Sequence, residues 1–468
     1  MSENQIPEIR GSRFAGVASQ FSESEPEFLR QTALANGPIT LFRMFGLSFY
    51  HVADPELIRE ILVTRQKEFP KAKRDVEILG SFIGNGLVTS GGEFHAKQRK
   101  LAQPAFHARR IGGYASTMVD YTSAVMADWH DGQPLDISQA MYELTMYIVA
   151  KTLFDADMSQ MQAEAEGVGQ AIHHLQAISN ADFKSPIQWP HWLPTKRNRL
   201  RRQARNTLNS TVGTIINNRR AQAVDGQVAD TGDLLSMLML SQYDDGSFMG
   251  DQQLLDEVLT LFVAGHETTS NALSWTWYLL SQHPDVVDKL QAELDGVLGS
   301  RQATLADLPQ LTYTGQIIKE VLRLYPPAWI LNTRTTPVAT NLGPYQLPAD
   351  ANIFISPYAM HHLPQYFPEP DAFRPERWTA EFEQSLPRYA YMPFGGGPRV
   401  CIGNSFAQME AQLVLATIGQ RFTTSLATEE VKLNPQVTLS PKGGLPVILH
   451  ARQPVPAPTE AVPALQPA

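Results

Sequence analysis

Phe394-Gly395-Gly396-Gly397-Pro398-Arg399-Val400-Cys401-Ile402-Gly403 is the stretch whose reading decides the fold, because it holds the one cysteine in 468 residues. A single cysteine has no partner for an internal disulfide. Glycines beside it let backbone amides approach a sulfur closely, which is what a thiolate ligand to a metal requires. A free buried cysteine next to a glycine-rich turn is the alternative when the loop is read by itself.

The rest of the composition bounds the setting of that loop. With 43% hydrophobic residues the chain can bury a large core, and a formal charge of -9 argues against non-specific nucleic-acid binding. The first thirty residues lack the apolar run of a secretory signal, and no stretch of about 18 apolar residues could serve as a membrane anchor. Together with the cysteine usage this reads as a cytoplasmic protein. No repeat and no Gly/Ser linker divides the chain, so a single domain is expected over residues 1–451. Residues 452–468 carry Pro454, Pro456, Pro458, Pro463 and Pro467 and read as a disordered tail. Apolar residues recur at helical spacing over 136–154, 199–220 and 251–282, while 38–52, 337–355 and 437–449 read as short strands and turns. The fold class is mainly α with small β sheets.

Three further segments stand out. Ala264-Gly265-His266-Glu267-Thr268-Thr269 places small residues, an acid and two hydroxyls inside a long helix, against propensity. Thr268 is one turn after Ala264, so its hydroxyl can bond that carbonyl and open a groove in the helix; threonines back-bonding in an ordinary buried helix are the alternative. His266 is expected to face away from the site and find a protein partner. Glu320 and Arg323 share a helix face that Pro326-Pro327 terminates. His95 and Arg99, four apart, can point from one face at an anion, or can be solvated surface groups.

The spacing Phe394-x-x-Gly397-x-Arg399-x-Cys401-x-Gly403 resembles the haem-ligand loop of the cytochrome P-450 family, the haem-thiolate monooxygenases, and the other segments follow in family order over about residues 38–449. The resemblance implies the cytochrome P-450 fold, haem b held by Cys401, and contacts to it from His95, Arg99, Ala264, Arg334, Phe394, Gly395, Arg399 and Gly403. Many members carry tryptophan where His95 stands. Phe394 would shield the sulfur, and Gly403 would let the next helix start near the ring. An electron-rich thiolate favours O–O cleavage. Glu267 and Thr268 fall on the family's acid and alcohol pair, which delivers the protons for dioxygen reduction. In the family Glu320 and Arg323 are joined by an arginine of a Pro-Glu-Arg segment, here Arg377, as structural residues that lock the loop.

A distal pocket of Phe82, Ile83, Phe262, Val263, Ala328 to Leu331 and Leu439 is expected, and with it a small apolar substrate: a fatty acid, a terpenoid, a steroid or a secondary metabolite. The run Lys196, Arg197, Arg199, Arg201, Arg202 and Arg205 reads as a solvated helix start. Lys97, Arg99, Lys100, Arg109 and Arg110 read as a docking face for an acidic redox protein. About 67 residues follow Cys401, too few for a flavin or iron–sulfur module. The expectation is a monomer receiving electrons from NAD(P)H through a reductase and a ferredoxin or flavodoxin-type partner, with O2 as co-substrate. A peroxide-driven peroxygenase and a non-catalytic haem sensor are the competing readings; the acid and alcohol pair argues against the first, and the missing signalling module against the second.

Overall fold

The computed structural model describes residues 5–157, 162–185, 187–222 and 229–452. Strands β1 (Glu8–Ile9), β2 (Ile39–Met44), β3 (Leu47–Val52), β4 (Arg334–Thr335) and β5 (Asn352–Ile355) form one sheet in the order β1-β2-β3-β5-β4. The hairpin of β2 and β3 turns at Phe45-Gly46, and β3 runs parallel to β5 from Phe49↔Asn352 to Val52↔Ile355. Smaller sheets elsewhere include the hairpin of Leu433–Pro435 with Leu439–Pro441.

Helices make the bulk of the body. Those that frame the interior are α1 (Lys73–Ile83), α2 (Gly92–Ala102), α3 (Ile137–Phe154), α4 (Gln162–Lys184), α5 (Lys196–Ala221), α6 (Asp251–Leu280), α7 (Thr312–Leu324) and α8 (Asn404–Gly419). Asp136 caps α3 by accepting from Ser138 and Gln139 N–H at 3.0 and 3.4 Å. At 30 residues, α6 is about 45 Å long and crosses the whole body. Its middle is buried on every side, so packing and not helix propensity holds it. Thr145 of α3 donates to the His266 carbonyl at 3.0 Å, which fixes the two helices against each other.

The basic run at the start of α5 is the solvated face expected at Lys196, Arg197, Arg199 and Arg202, which are exposed, whereas Arg201 is buried and Arg205 half-buried. Arg197 and Arg201 both pair with Asp182 at the end of α4, and Arg205 donates to Gly80 and Ser81 carbonyls at the end of α1. The Arg205 guanidinium thus sits at the carbonyl end of a helix, where a cation is favoured. Arg452 also departs from expectation: its N–H donates to Arg421 O at 2.7 Å and its side chain pairs with Asp295. The packed unit therefore extends one residue past the expected boundary; the rest of the proline-rich tail lies outside the described residues.

The Glu320 carboxylate is the hub of the C-terminal half. It is wholly buried and accepts from Arg323 Nε and Nη2 at 2.9 and 2.8 Å, Arg377 Nε at 2.9 Å, Trp378 Nε1 at 2.9 Å and Arg374 N–H at 3.1 Å. Arg323 donates onward to the carbonyls of His361 and Pro370 at 3.0 and 2.7 Å. The backbone of the same residue reaches the ligand loop through His361. Met392 N–H donates to His361 Nε2 at 2.9 Å, so Nδ1, 3.2 Å from the Arg323 carbonyl, carries the proton. Tyr391 Oη donates to Lys319 O at 3.0 Å, a second tie from the segment entering the loop to α7.

Removing the hub would leave two buried guanidinium groups without a counter-charge. Glu320→Ala is expected to destabilise the protein by about 3–5 kcal/mol, measured by urea denaturation; a loss near zero would mean that water replaces the carboxylate.

Candidate functional site

Between α6 and the loop before α8 lies a cavity of about 300 Å³. One wall is Leu261, Ala264, Gly265, Thr268 and Ala272 of α6; the other is Cys401 with Phe406, Ala407 and Ala411 of α8. Small residues on both walls leave a slot instead of interdigitated side chains.

The loop is shaped by what its glycines touch. Gly397 sits at φ 64°, and a Cβ there would collide with the Leu62 carbonyl; a Cβ on Gly396 would enter the Tyr389 ring. Cys401 N–H donates to Phe394 O at 2.9 Å, closing the loop on itself. The sulfur faces the cavity, so it is accessible there, yet protein surrounds it deeply enough that burial pushes its pKa up. The Gly403 amide and Arg99 act in the opposite direction, and α8 starts at the next residue with its positive end toward the sulfur.

The rim of the cavity is cationic. His95, Arg99, Arg334 and Arg399 all line it, as the sequence suggested, and Lys71 joins them. Arg99 donates to Val400 O at 2.7 Å and Arg399 to Ser90 O at 2.9 Å, while Lys71 bonds the Val88 carbonyl. Burial pushes Lys71 down to about 7 and His95 down to about 3, with the neighbouring cations adding to both shifts. Arg399 is pushed down to about 10 by burial, then by Arg334 and Arg99. The one carboxylate acting on Lys71 and Arg334, Asp75, accepts from Thr333 N–H at 2.7 Å, and the Arg334 Nε is buried with no partner among the described residues.

Like charges gathered at the edge of an apolar slot, with an orphaned guanidinium nitrogen among them, fit a flat apolar group bearing two carboxylates. A sulfur opposite α6 fits a soft metal ion at the centre of that group. The residues present therefore fit haem.

On the α6 wall, Thr268 Oγ1 donates to Ala264 O at 2.9 Å, as its spacing predicts. The helix is continuous through this point, from Asp251 to Leu280. Glu267 does not line the cavity. It is buried on the other side of α6, where Thr438 donates to its Oε1 and Asn271 Nδ2 donates to Thr438 Oγ1 at 3.0 Å. Burial raises its pKa to about 7 against these hydrogen bonds. His266 also turns away from the cavity, its Nδ1 2.9 Å from Phe262 O.

Several expected pocket residues belong to the core instead. Phe82, Ile83, Phe262, Val263 and Leu439 are buried in the helical core and do not line the cavity, whereas Ala328 and Leu331 do. Phe262 packs on Phe154 and His266, and the Leu439 carbonyl accepts from Trp275 Nε1 at 3.0 Å. Their hydrophobicity alone could not separate pocket from packing. Residues that sequence reasoning missed are Lys71, Leu87, Val88, Thr269 and Glu410. Lys71 has no spacing signal. Glu410 had one: it is a lone acid in the apolar run 404–419, and burial raises it well above the ordinary carboxyl range, with Thr269 on the cavity wall as its polar neighbour.

A sequence model described as Cytochrome P-450 matches residues 13–446. The chain is similar to "Cyclooctatin synthase" of Streptomyces melanosporofaciens, 37% identical over 435 residues that cover 92% of each chain. It is similar also to "Cyclooctat-9-en-7-ol 5-monooxygenase" of the same organism, 36% identical over 397 residues, 83% of each chain. Among solved structures, retinoic acid-bound cyanobacterial CYP120A1 superposes with a TM-score of 0.82 at 26% identity, covering 96% of this chain and all of the other.

The Glu267 carboxyl makes stability depend on pH. Its pKa is about 7 when folded against an ordinary 4.5, so between those values the folded state holds a proton that the unfolded state has lost. Stability is expected to fall as pH rises from about 4.5 to about 7, and Glu267→Gln to reduce that slope in urea titrations. Glu257, also about 7, and Glu410 tilt stability the same way, so the slope should shrink without vanishing; an unchanged slope would show Glu267 ionised in the folded protein.

Proposed function

The chain belongs to the cytochrome P-450 family of haem-thiolate monooxygenases, and from that we propose that it hydroxylates a cyclised isoprenoid hydrocarbon or alcohol. The overall change is RH + O2 + 2 electrons + 2 protons to ROH + H2O. Haem, when bound, supplies dioxygen binding and cleavage, made easier by an electron-donating thiolate. Everything else falls to side chains of this chain.

Cys401 supplies the thiolate. Lys71, Arg99, Arg334 and Arg399, with neutral His95 as a hydrogen-bonding neighbour, would receive the two carboxylates, and neutralising the repulsion among the cations is what orients the ring in the slot. Thr268 spends its hydroxyl proton on Ala264 O, so its lone pairs are free to accept from a proton donor in the cavity. Glu267 stores the next proton behind it, with a pKa near the working pH, as a general acid needs. Leu87, Val88, Leu261, Ala328 and Leu331 offer the substrate an apolar surface and exclude water.

The observation that carries this reading is a sulfur and a group of cations, with Asp75 the one carboxylate acting on them, facing one apolar cavity. The substrate class is supported by the unsaturated alcohol in one relative's name and by the isoprenoid acid bound to the structural neighbour. Electrons would come from NAD(P)H through a ferredoxin or flavodoxin-type protein docking where Lys97 and Arg109 are exposed; Lys100 and Arg110 nearby already pair with Asp244 and Asp230. No helix among the described residues is long and apolar enough to cross a membrane, and we place the enzyme in the cytoplasm as a monomer.

The reduced, carbon-monoxide-treated protein is expected to show the long-wavelength Soret band of thiolate ligation, and Cys401→Ser to lose it; a histidine-like band in the parent would overturn the assignment. Thr268→Ala is expected to keep that band while product per NAD(P)H falls by about tenfold or more and peroxide accumulates. Unchanged coupling would remove Thr268 from the mechanism.

A further inference from the structure

Glu267 must be recharged with protons at every turnover, yet it is buried, with Gln176 of α4 acting on its carboxyl and Tyr142 of α3 feeling its charge. On that side the packing breaks the usual rule that buried polar groups are paired. Tyr142 Oη of α3, Gln176 Nε2 of α4 and His266 Nε2 of α6 are all buried and have no hydrogen-bond partner among the described residues. His266 Nδ1 faces a carbonyl and must be its protonated nitrogen, which leaves Nε2 a bare acceptor. Two donors and one acceptor are thus unmet around one carboxyl.

These groups form a connected set. The Tyr142 ring meets His266 edge-on at 4.9 Å and stacks on His173 at 5.0 Å. Gln176 lies one helical step from His173 on α4, close enough to Glu267 to act on its carboxyl, though its Nε2 makes no hydrogen bond of ordinary geometry. Tyr142 in turn feels the Glu267 charge. His173 and its neighbour His174 are exposed, so the set begins at the surface and ends at Glu267. Two donors and an acceptor on neighbouring buried side chains are the partners a buried water needs.

We propose that Tyr142, Gln176 and His266 hold a short chain of buried water that carries protons inward from the surface at His173 to Glu267. Protons enter as Glu267 gives its own to the cavity side of α6, so the carboxyl gains one for each one lost and none of the three relay side chains changes its net protonation. Glu267 is thereby a two-faced group: Thr438 holds one oxygen in place, and Gln176 acts on the same carboxyl from α4. The proposal rests on the monooxygenase reading above.

The experiment compares Tyr142→Phe and Gln176→Met with the parent holoenzyme, using a surrogate ferredoxin and reductase, NADPH, and cyclooctat-9-en-7-ol as the probe substrate. Both variants remove unpaired atoms, so a structural role alone predicts an equal or higher melting temperature with unchanged coupling. The relay predicts an unchanged Soret band and melting temperature, a several-fold fall in product per NADPH, more peroxide, and a larger solvent deuterium isotope effect. Unaltered coupling and isotope effect in both variants would overturn it. Should the parent make no product, the monooxygenase reading or the probe is at fault, and the relay is read from the infrared carboxyl band of Glu267: slower hydrogen–deuterium exchange in the variants supports it, and equal exchange overturns it.

Discussion

A single buried carboxylate, Glu320, holds together the half of the molecule that presents the sulfur. Two guanidinium groups, an indole N–H and a backbone amide converge on it. Taken out of water, such an ion cluster gains little net stability, because desolvation offsets most of the Coulombic attraction. Its worth lies in being costly to rearrange. Every donor has one place to go, so the segments bearing Arg323, Arg377 and Trp378 meet in one register. His361 then transfers that register to Met392, three residues before the loop that carries Cys401 turns at Gly395. The sheet core completes the support, since Tyr389 and Met392 pack with Leu57, Ile61 and Leu62.

That rigidity is needed because the cavity is assembled against its own electrostatics. Burial and then the Arg399 and Arg334 charges push Lys71 down, burial and then Arg334 and Arg99 push Arg399 down, and His95 is kept neutral among them. A site built this way stores a demand for negative charge, and only a scaffold that cannot relax would keep the demand unmet. The same logic explains why Arg99 and Arg399 lean on Val400 and Ser90 carbonyls: dipoles hold the cations at the rim until carboxylates arrive.

Helix α6 separates two kinds of interior. Its cavity face is made of small and apolar residues with the hydroxyls of Thr260, Thr268 and Thr269 among them, and its opposite face carries an acid, an imidazole and unmet polar atoms from α3 and α4. An acid placed directly on the cavity would bring water with it. Held one residue away, Glu267 can supply a proton without wetting the slot, and burial sets its affinity for that proton near neutrality.

The sequence by itself determined the elements and the chemistry that depends on local spacing. The glycine-flanked cysteine, the helix with its misplaced Thr268, the Glu320 and Arg323 pair and the mainly helical body were all legible, because a three- or four-residue repeat places groups on one helix face wherever that helix goes. What only the tertiary structure decided was which side of a buried helix faces the slot. Phe82, Phe262 and Leu439 turned into core, Lys71 came in from a segment without a motif, and Glu267 turned its back on the cavity. A helix buried all round has no solvent face to break the symmetry of its pattern, so the choice is made by its neighbours: Thr145 and Val149 on one side, Cys401 and α8 on the other.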